Sequence, residues 1–140
     1  METLSPVSVI ERLRDAINAH DLEAMVACFA PDYESAFPAH PDRAFRGQEQ
    51  MRTNWTQIFG GVPDIHATLV HRAAEGETAW AEWEWRGTRR DGGPFHQRGV
   101  TVQGVRDGRI AWARLYMEPV EEGRGTDAAV RRAAGGSESP

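Results

Sequence analysis

Apolar side chains recur with helical spacing in the first half of this chain and with strand alternation in the second. Ile10, Leu13 and Ile17 form one stripe, opened by Ser5-Pro6 (a capping hydroxyl before a first-turn proline) and ending near 18–20. Asp21 caps a second short helix. Its Leu22, Met25, Val26 and Phe29 follow i, i+3, i+4, i+7 spacing, and Ala30-Pro31 ends it, because proline disfavours helix in the residue before it. Residues 32–37 read as a short strand and 38–42 as a loop. A third helix, about 48–59, carries Met51, Trp55, Ile58 and Phe59 on one face and stops at Gly60-Gly61. Strands are then expected at 65–73, 79–88, 95–106 and 109–119, with turns at Glu75-Gly76, Asp91-Gly92-Gly93-Pro94 and the hairpin pair Asp107-Gly108. Helices followed by an antiparallel meander make an α+β domain over 1–120. The remainder, 121–140, reads as an extension with a short helix from Thr126 to about Ala134 and a disordered end, GGSESP.

Strict alternation assigns the sheet faces. A turn at Asp107-Gly108 sets Val102 opposite Ala113 and Val100 opposite Leu115. That places Val100, Val102, Ala111, Ala113, Leu115 and Met117 on the helix-covered face, with Arg98 in the same row. Ala81, Trp83 and Trp85 share that face, leaving Trp80, Glu82, Glu84 and Arg86 outside with Thr101, Gln103, Trp112, Arg114 and Tyr116.

Composition then narrows the chemistry. The 140 residues fit one domain, and all 16 basic side chains are arginine. Without lysine there is no Schiff base and no P-loop amine. A formal charge of −5 argues against nucleic-acid binding, and one cysteine, Cys28, excludes an internal disulfide. The histidines have no metal-site spacing; His66 and His71 are expected on opposite faces of their strand. No secretory leader or membrane span is expected, so the default is a cytoplasmic protein without cofactor or metal.

Four stretches, HDLEAMVACFAPD, FRGQEQMRTNW, AEWEWRGT and VRDGRIAWARLYMEP, resemble in order the SnoaL-like polyketide cyclases of the nuclear transport factor 2-like superfamily. The likeness spans roughly 5–120. It implies a cone: a curved antiparallel sheet wrapped around N-terminal helices, enclosing an apolar pocket. It also implies cofactor-independent cyclase, isomerase or epoxide-hydrolase chemistry, or binding without turnover, so fold alone leaves function open. The family's acid positions are changed here. The cyclase and epoxide-hydrolase aspartate falls at Leu115, the ketosteroid-isomerase aspartate at Phe37, and the epoxide-hydrolase arginine–aspartate pair at Glu82 and Glu84.

The candidate catalytic residues are therefore Glu34, Glu82, Glu84 and Arg98. Glu82 and Glu84 project from one face. Inside a closed pocket, repulsion and desolvation would raise a pKa toward neutrality; on the outer face they would pair with Arg86 or Arg114 to little effect. Alternation favours the outer face, and a bulge would reverse it. Arg98, if inside, would polarise a ligand oxygen with Glu34 or Glu82, and Arg98→Met would abolish turnover or affinity; at the rim it would only snorkel. Trp55, Trp83, Trp85, Leu115 and Met117 are the expected walls of a site for an apolar small molecule. Trp80, Trp112 and Tyr116 on the other face predict a homodimer interface. Two or more carboxylates inside with Arg98 would favour catalysis, and an entirely apolar interior would favour binding.

Overall fold

In the computed structural model, which describes residues 4–136, one six-stranded sheet curves around three helices. The first helix, α1 (Pro6–Asn18), starts where Ser5 accepts a hydrogen bond from the Ser8 amide, and α2 (Leu22–Val26) starts where Asp21 accepts from the Ala24 amide. The latter stops four residues earlier than the stripe suggests. Phe29, expected on the helix, instead opens the first strand, β1 (Phe29–Ala36), and Pro31 sits at a register irregularity between Phe29 and Glu34, where a missing N–H costs no ladder bond. A 3-10 turn, Pro41–Arg43, and a two-residue strand, β2 (Phe45–Arg46), lie within and beside the expected loop. Helix α3 runs Gln48–Gly61. The meander follows as β3 (His66–Glu75), β4 (Thr78–Thr88), β5 (Pro94–Arg106) and β6 (Arg109–Pro119), and the sheet order is β2-β1-β6-β5-β4-β3. The β1–β6 pairing is parallel; every other is antiparallel.

A bulge decides which side chains face inward. Arg106 pairs with Arg109 and Val105 with Ile110, but Gly104 then pairs with Trp112, so Ala111 is an extra residue in β6. Beyond it Thr101 opposes Leu115 and Gln103 opposes Ala113. The row containing Arg98, Val100 and Val102 therefore lies on the outer face, opposite Glu118, Tyr116 and Arg114, and the assignment from strict alternation is corrected. A second irregularity between Leu69 and His71 sets both His66 and His71 opposite outer-face residues, Arg86 and Glu82, and so on one face rather than two.

The core sits between the inner face and the helices, with Ile10, Ile17, Met25, Tyr33 and Trp83 all fully buried. Asn18 fixes α1 to the sheet. Its Nδ2 donates to the Ala67 carbonyl at 3.0 Å, and its Oδ1 accepts from the Ala67 amide at 2.7 Å, so one side chain imitates a strand along the free edge of β3. Two residues on, the His20 ring meets the Ile65 carbonyl at 2.8 Å. Cys28 is buried, and burial pushes its thiol pKa up, as expected for an inert packing residue.

After Pro119 the chain leaves the sheet and forms α4 (Thr126–Ala133). Its cap is Gly125, and none of its residues is buried. The terminal stretch SESP lies outside the described residues. Replacing Asn18 by Ala leaves the Ala67 amide and carbonyl unpaired. The expected loss is about 1–3 kcal/mol in urea unfolding with native secondary structure retained.

Candidate functional site

The bulge and the T-shaped packing of the tryptophans shape the interior. Trp55 on α3 meets Trp85 on β4 with ring centroids 5.6 Å apart and planes at 74°, and Trp83 lies 6.3 Å from Trp85. Bordering this group is a small cavity of about 50 Å³, bounded also by Thr101, Gln103 and Ala113 with α1 and α2 side chains. A larger one of about 240 Å³ also borders it, walled by Ser35, Phe37, Phe45, Asn54, Gln97 and Met117 among others. Tyr33, Met51, Trp55, Trp85 and Leu115 border both.

All five expected wall residues therefore line cavity: Trp55, Trp85 and Leu115 both, Trp83 the inner one and Met117 the outer. The four charged candidates lie elsewhere. Glu34 is exposed on β1 and ion-paired with Arg46. Glu82 lies opposite Val100 on the outer face. Glu84 accepts from His96 at 2.8 Å and Arg86 at 3.0 Å, and these partners, His96 foremost, hold its pKa below the usual carboxylate value. Arg98 is exposed, in register with Glu84 on one side and Glu118 on the other. Its expected inward placement is corrected, because the unbulged β4–β5 ladder sets it beside Glu84 on the outer face, and the extra Ala111 lets Leu115 and Met117 face inward without it. Glu82 and Glu84 keep the outer face that alternation favours, since the β4–β5 ladder itself has no bulge.

Polar groups that the alternation pattern hid occupy the interior. Thr101 and Gln103 reach the inner cavity, and Ser35, Asn54 and Gln97 the outer. The signal for them was Gly104. A Cβ there would lie 1.9 Å from the Trp112 indole nitrogen, so a glycine is required where Trp112 folds across the sheet beyond the bulge. Tyr33, 1 % exposed, borders both cavities. Burial pushes its phenol pKa up to about 12, partly offset by the nearby Ser35 hydroxyl, although Ser35 Oγ makes no hydrogen bond of ordinary geometry. The phenol therefore remains a proton donor at neutral pH. Neither wall contains a charged side chain or a histidine, and no group of three or more histidine, cysteine or acidic side chains among the described residues could hold a metal ion.

The SnoaL-like domain model matches residues 10–113. The chain belongs to the SnoaL-like domain family. Among solved structures it is similar to IdmH from Streptomyces antibioticus, assigned as a polyketide cyclase. That likeness has 25% identity and a TM-score of 0.71, covering 82% of this chain and 93% of that one. A SnoaL-like protein from Jannaschia sp. CCS1 shares the fold at 21% identity and TM-score 0.70, covering 81% of this chain and 85% of the other. A ketosteroid isomerase-like protein from Catenulispora acidiphila does so at 16% identity and TM-score 0.68, covering 98% and 100%. No curated protein matches the sequence. The nuclear transport factor 2-like fold is thereby shown, and no helix among the described residues is long and apolar enough to cross a membrane.

The Tyr33 shift sets an alkaline signature. A folded-state pKa raised from 10 to about 12 means the unfolded chain loses this proton first as pH rises. The associated stability is complete below pH 10 and is lost as pH climbs through about 12, a fall of up to about 3 kcal/mol. Tyr33→Phe is expected to remove the ionisation step near pH 12 from the 295 nm titration and to flatten the stability decline above pH 10.

Proposed function

We propose that this chain is a cofactor-independent, cyclase- or isomerase-type protein. It takes up an apolar, oxygenated small molecule of polyketide type, folds it within the interior, and promotes reaction by confinement and hydrogen bonding. The observation that carries this reading is the wall itself: aromatic and aliphatic, interrupted by neutral hydrogen-bonding groups. Glu34, Glu82, Glu84 and Arg98 all lie outside it, so the carboxylate-and-arginine route weighed from the sequence is set aside. IdmH, assigned as a polyketide cyclase, supports the substrate class. Ring closure or isomerisation by concerted bond reorganisation conserves composition and takes no proton from the substrate, so it requires neither a co-reactant nor a base on the wall. Holding the reacting ends together can supply a large part of such a barrier, and fixed N–H and O–H donors can stabilise charge developing on an oxygen. Epoxide opening fits less well, because no carboxylate or histidine on the wall could take a proton from water.

The same wall also suits a carrier that returns its ligand unchanged. Liquid chromatography with mass detection of a polyketide recovered after incubation separates the two readings: a species of unchanged mass and new retention time marks catalysis, and the input alone marks a carrier.

Pocket binding is tested with the neutral fluorophore 6-propionyl-2-(dimethylamino)naphthalene. Wild type is expected to bind it with a blue-shifted emission. Leu115→Trp, which fills space bordering both cavities, should weaken binding at least about tenfold, whereas Glu84→Gln and Arg98→Met should leave it unchanged. Equal binding by Leu115→Trp with a native circular dichroism spectrum would overturn the reading.

A second copy of the chain is the proposed cover for the outer face. Trp80 and Tyr116 are 40% and 43% exposed there, and the Arg114 guanidinium stacks 4.7 Å from the Trp112 ring centroid. That face mixes Glu82, Glu84 and Glu118 with Arg86, Arg98 and Arg114, so a two-fold axis can oppose unlike charges. Light scattering at micromolar concentration is expected to give a dimer mass, reduced to a monomer by Trp80→Glu with Tyr116→Glu. A monomeric wild type would refute it.

A further inference from the structure

Among the described residues, three buried polar side-chain atoms have no hydrogen-bond partner: Ser35 Oγ, Trp85 Nε1 and Gln103 Nε2. All three residues line the two cavities, and Ser35 and Gln103 are only 4% and 2% exposed. Buried polar groups are ordinarily paired, so three unpaired ones around one space point to a ligand. The neighbouring indole shows the contrast. Trp83 Nε1 donates to Thr101 Oγ1 at 2.9 Å, as a packing tryptophan does, while Trp85, two residues along the same strand, has no acceptor.

The surplus is of donors. Thr101 spends an oxygen lone pair on Trp83 and keeps its hydroxyl proton to give. Asn54 Oδ1 accepts from Gln50 at 2.8 Å, leaving its amide N–H groups on the outer wall. The Tyr33 phenol keeps its proton, and an indole N–H can only donate. The Gln103 carboxamide can turn to present either end, so it matches whatever the indole selects.

Neither space alone suits an organic ligand. About 50 Å³ is too small and about 240 Å³ falls just short of ordinary ligand pockets, yet five side chains border both. We propose that the two cavities are halves of one chamber, partitioned by the Trp55–Trp85 pair when empty, and that the joined chamber selects an uncharged ligand bearing an oxygen acceptor, a ketone, ester or ether, held by Trp85 Nε1–H and the Gln103 amide. A carboxylate is disfavoured because no cation lines the wall to offset its desolvation. This rests on the proposed function and adds which atom of the ligand is read, and by which residues.

The test compares three probes of similar outline in calorimetric titration: 2-acetylnaphthalene, 2-isopropylnaphthalene and 2-naphthoate. The ketone is expected to bind at least about tenfold tighter than the hydrocarbon, with naphthoate weakest. The Trp85 indole proton, assigned by its loss in Trp85→Phe, should move downfield with the ketone and not with the hydrocarbon. Gln103→Leu and Trp85→Phe should each cut the ratio of ketone to hydrocarbon affinity at least about threefold. The wild-type preference needs no variant, so it stands even if a substitution unfolds the chain. Equal affinity for ketone and hydrocarbon, tightest binding of naphthoate, or a preference untouched by both variants would overturn the proposal and leave the pocket reading intact. No binding by any probe would overturn both.

Discussion

Ala111 is the residue on which the rest of the molecule depends. It is unpaired in β6, and its insertion moves every later position of β6 by one step relative to β5. Side chains alternate strictly along a strand, so one step exchanges the faces. With the bulge, Leu115 and Met117 enter the interior alongside Thr101 and the Gly99 backbone. Without it, they would share a face with Val100, Val102 and Arg98, which the unbulged β4–β5 ladder holds beside Glu84 on the outer side, and the interior would lose both side chains. Gly104 and Trp112 make the step sterically possible, because the indole lies where a side chain on Gly104 would have been.

Around that step the fold separates two chemistries by face. The outer surface concentrates charge, with Glu84 held ionised by His96 and Arg86 and the loop residue His40 meeting Glu118 at 2.6 Å. The inner surface carries only neutral groups, and the one titratable side chain bordering both cavities, Tyr33, is held in its protonated form by burial. Low polarity strengthens hydrogen bonds made there and penalises charge brought there. A neutral ligand with an exposed oxygen is the kind of molecule such an interior accepts.

The parts legible from sequence were those with strong periodicity or punctuation. The helix starts at Ser5 and Asp21, the hairpin at Asp107-Gly108 and the limits of β6 follow from capping and turn chemistry that acts within a few residues. The tryptophan wall was legible because Trp83 and Trp85 sit on an unbulged ladder. The polar part was not. Nothing about an alanine marks it as a bulge, and the consequence appears eight to ten residues away in chain order, at Thr101 and Gln103. The start of β1 was misjudged for a related reason: Phe29 suits a helical stripe as well as a buried strand, and only pairing with Ile110 decides between them.

Period-two alternation also constrains how such a domain can diverge. Substitutions at inner positions can reshape the chamber without disturbing the charged face, because the two sets of residues interleave and do not overlap. A single-residue insertion or deletion within β5 or β6 has no such neutral course, since it would turn the outer charges inward and the chamber wall outward together. Lineages descending from this architecture should therefore gain and lose residues in the 89–93 turn or beyond Pro119, and should explore new ligands by replacement alone.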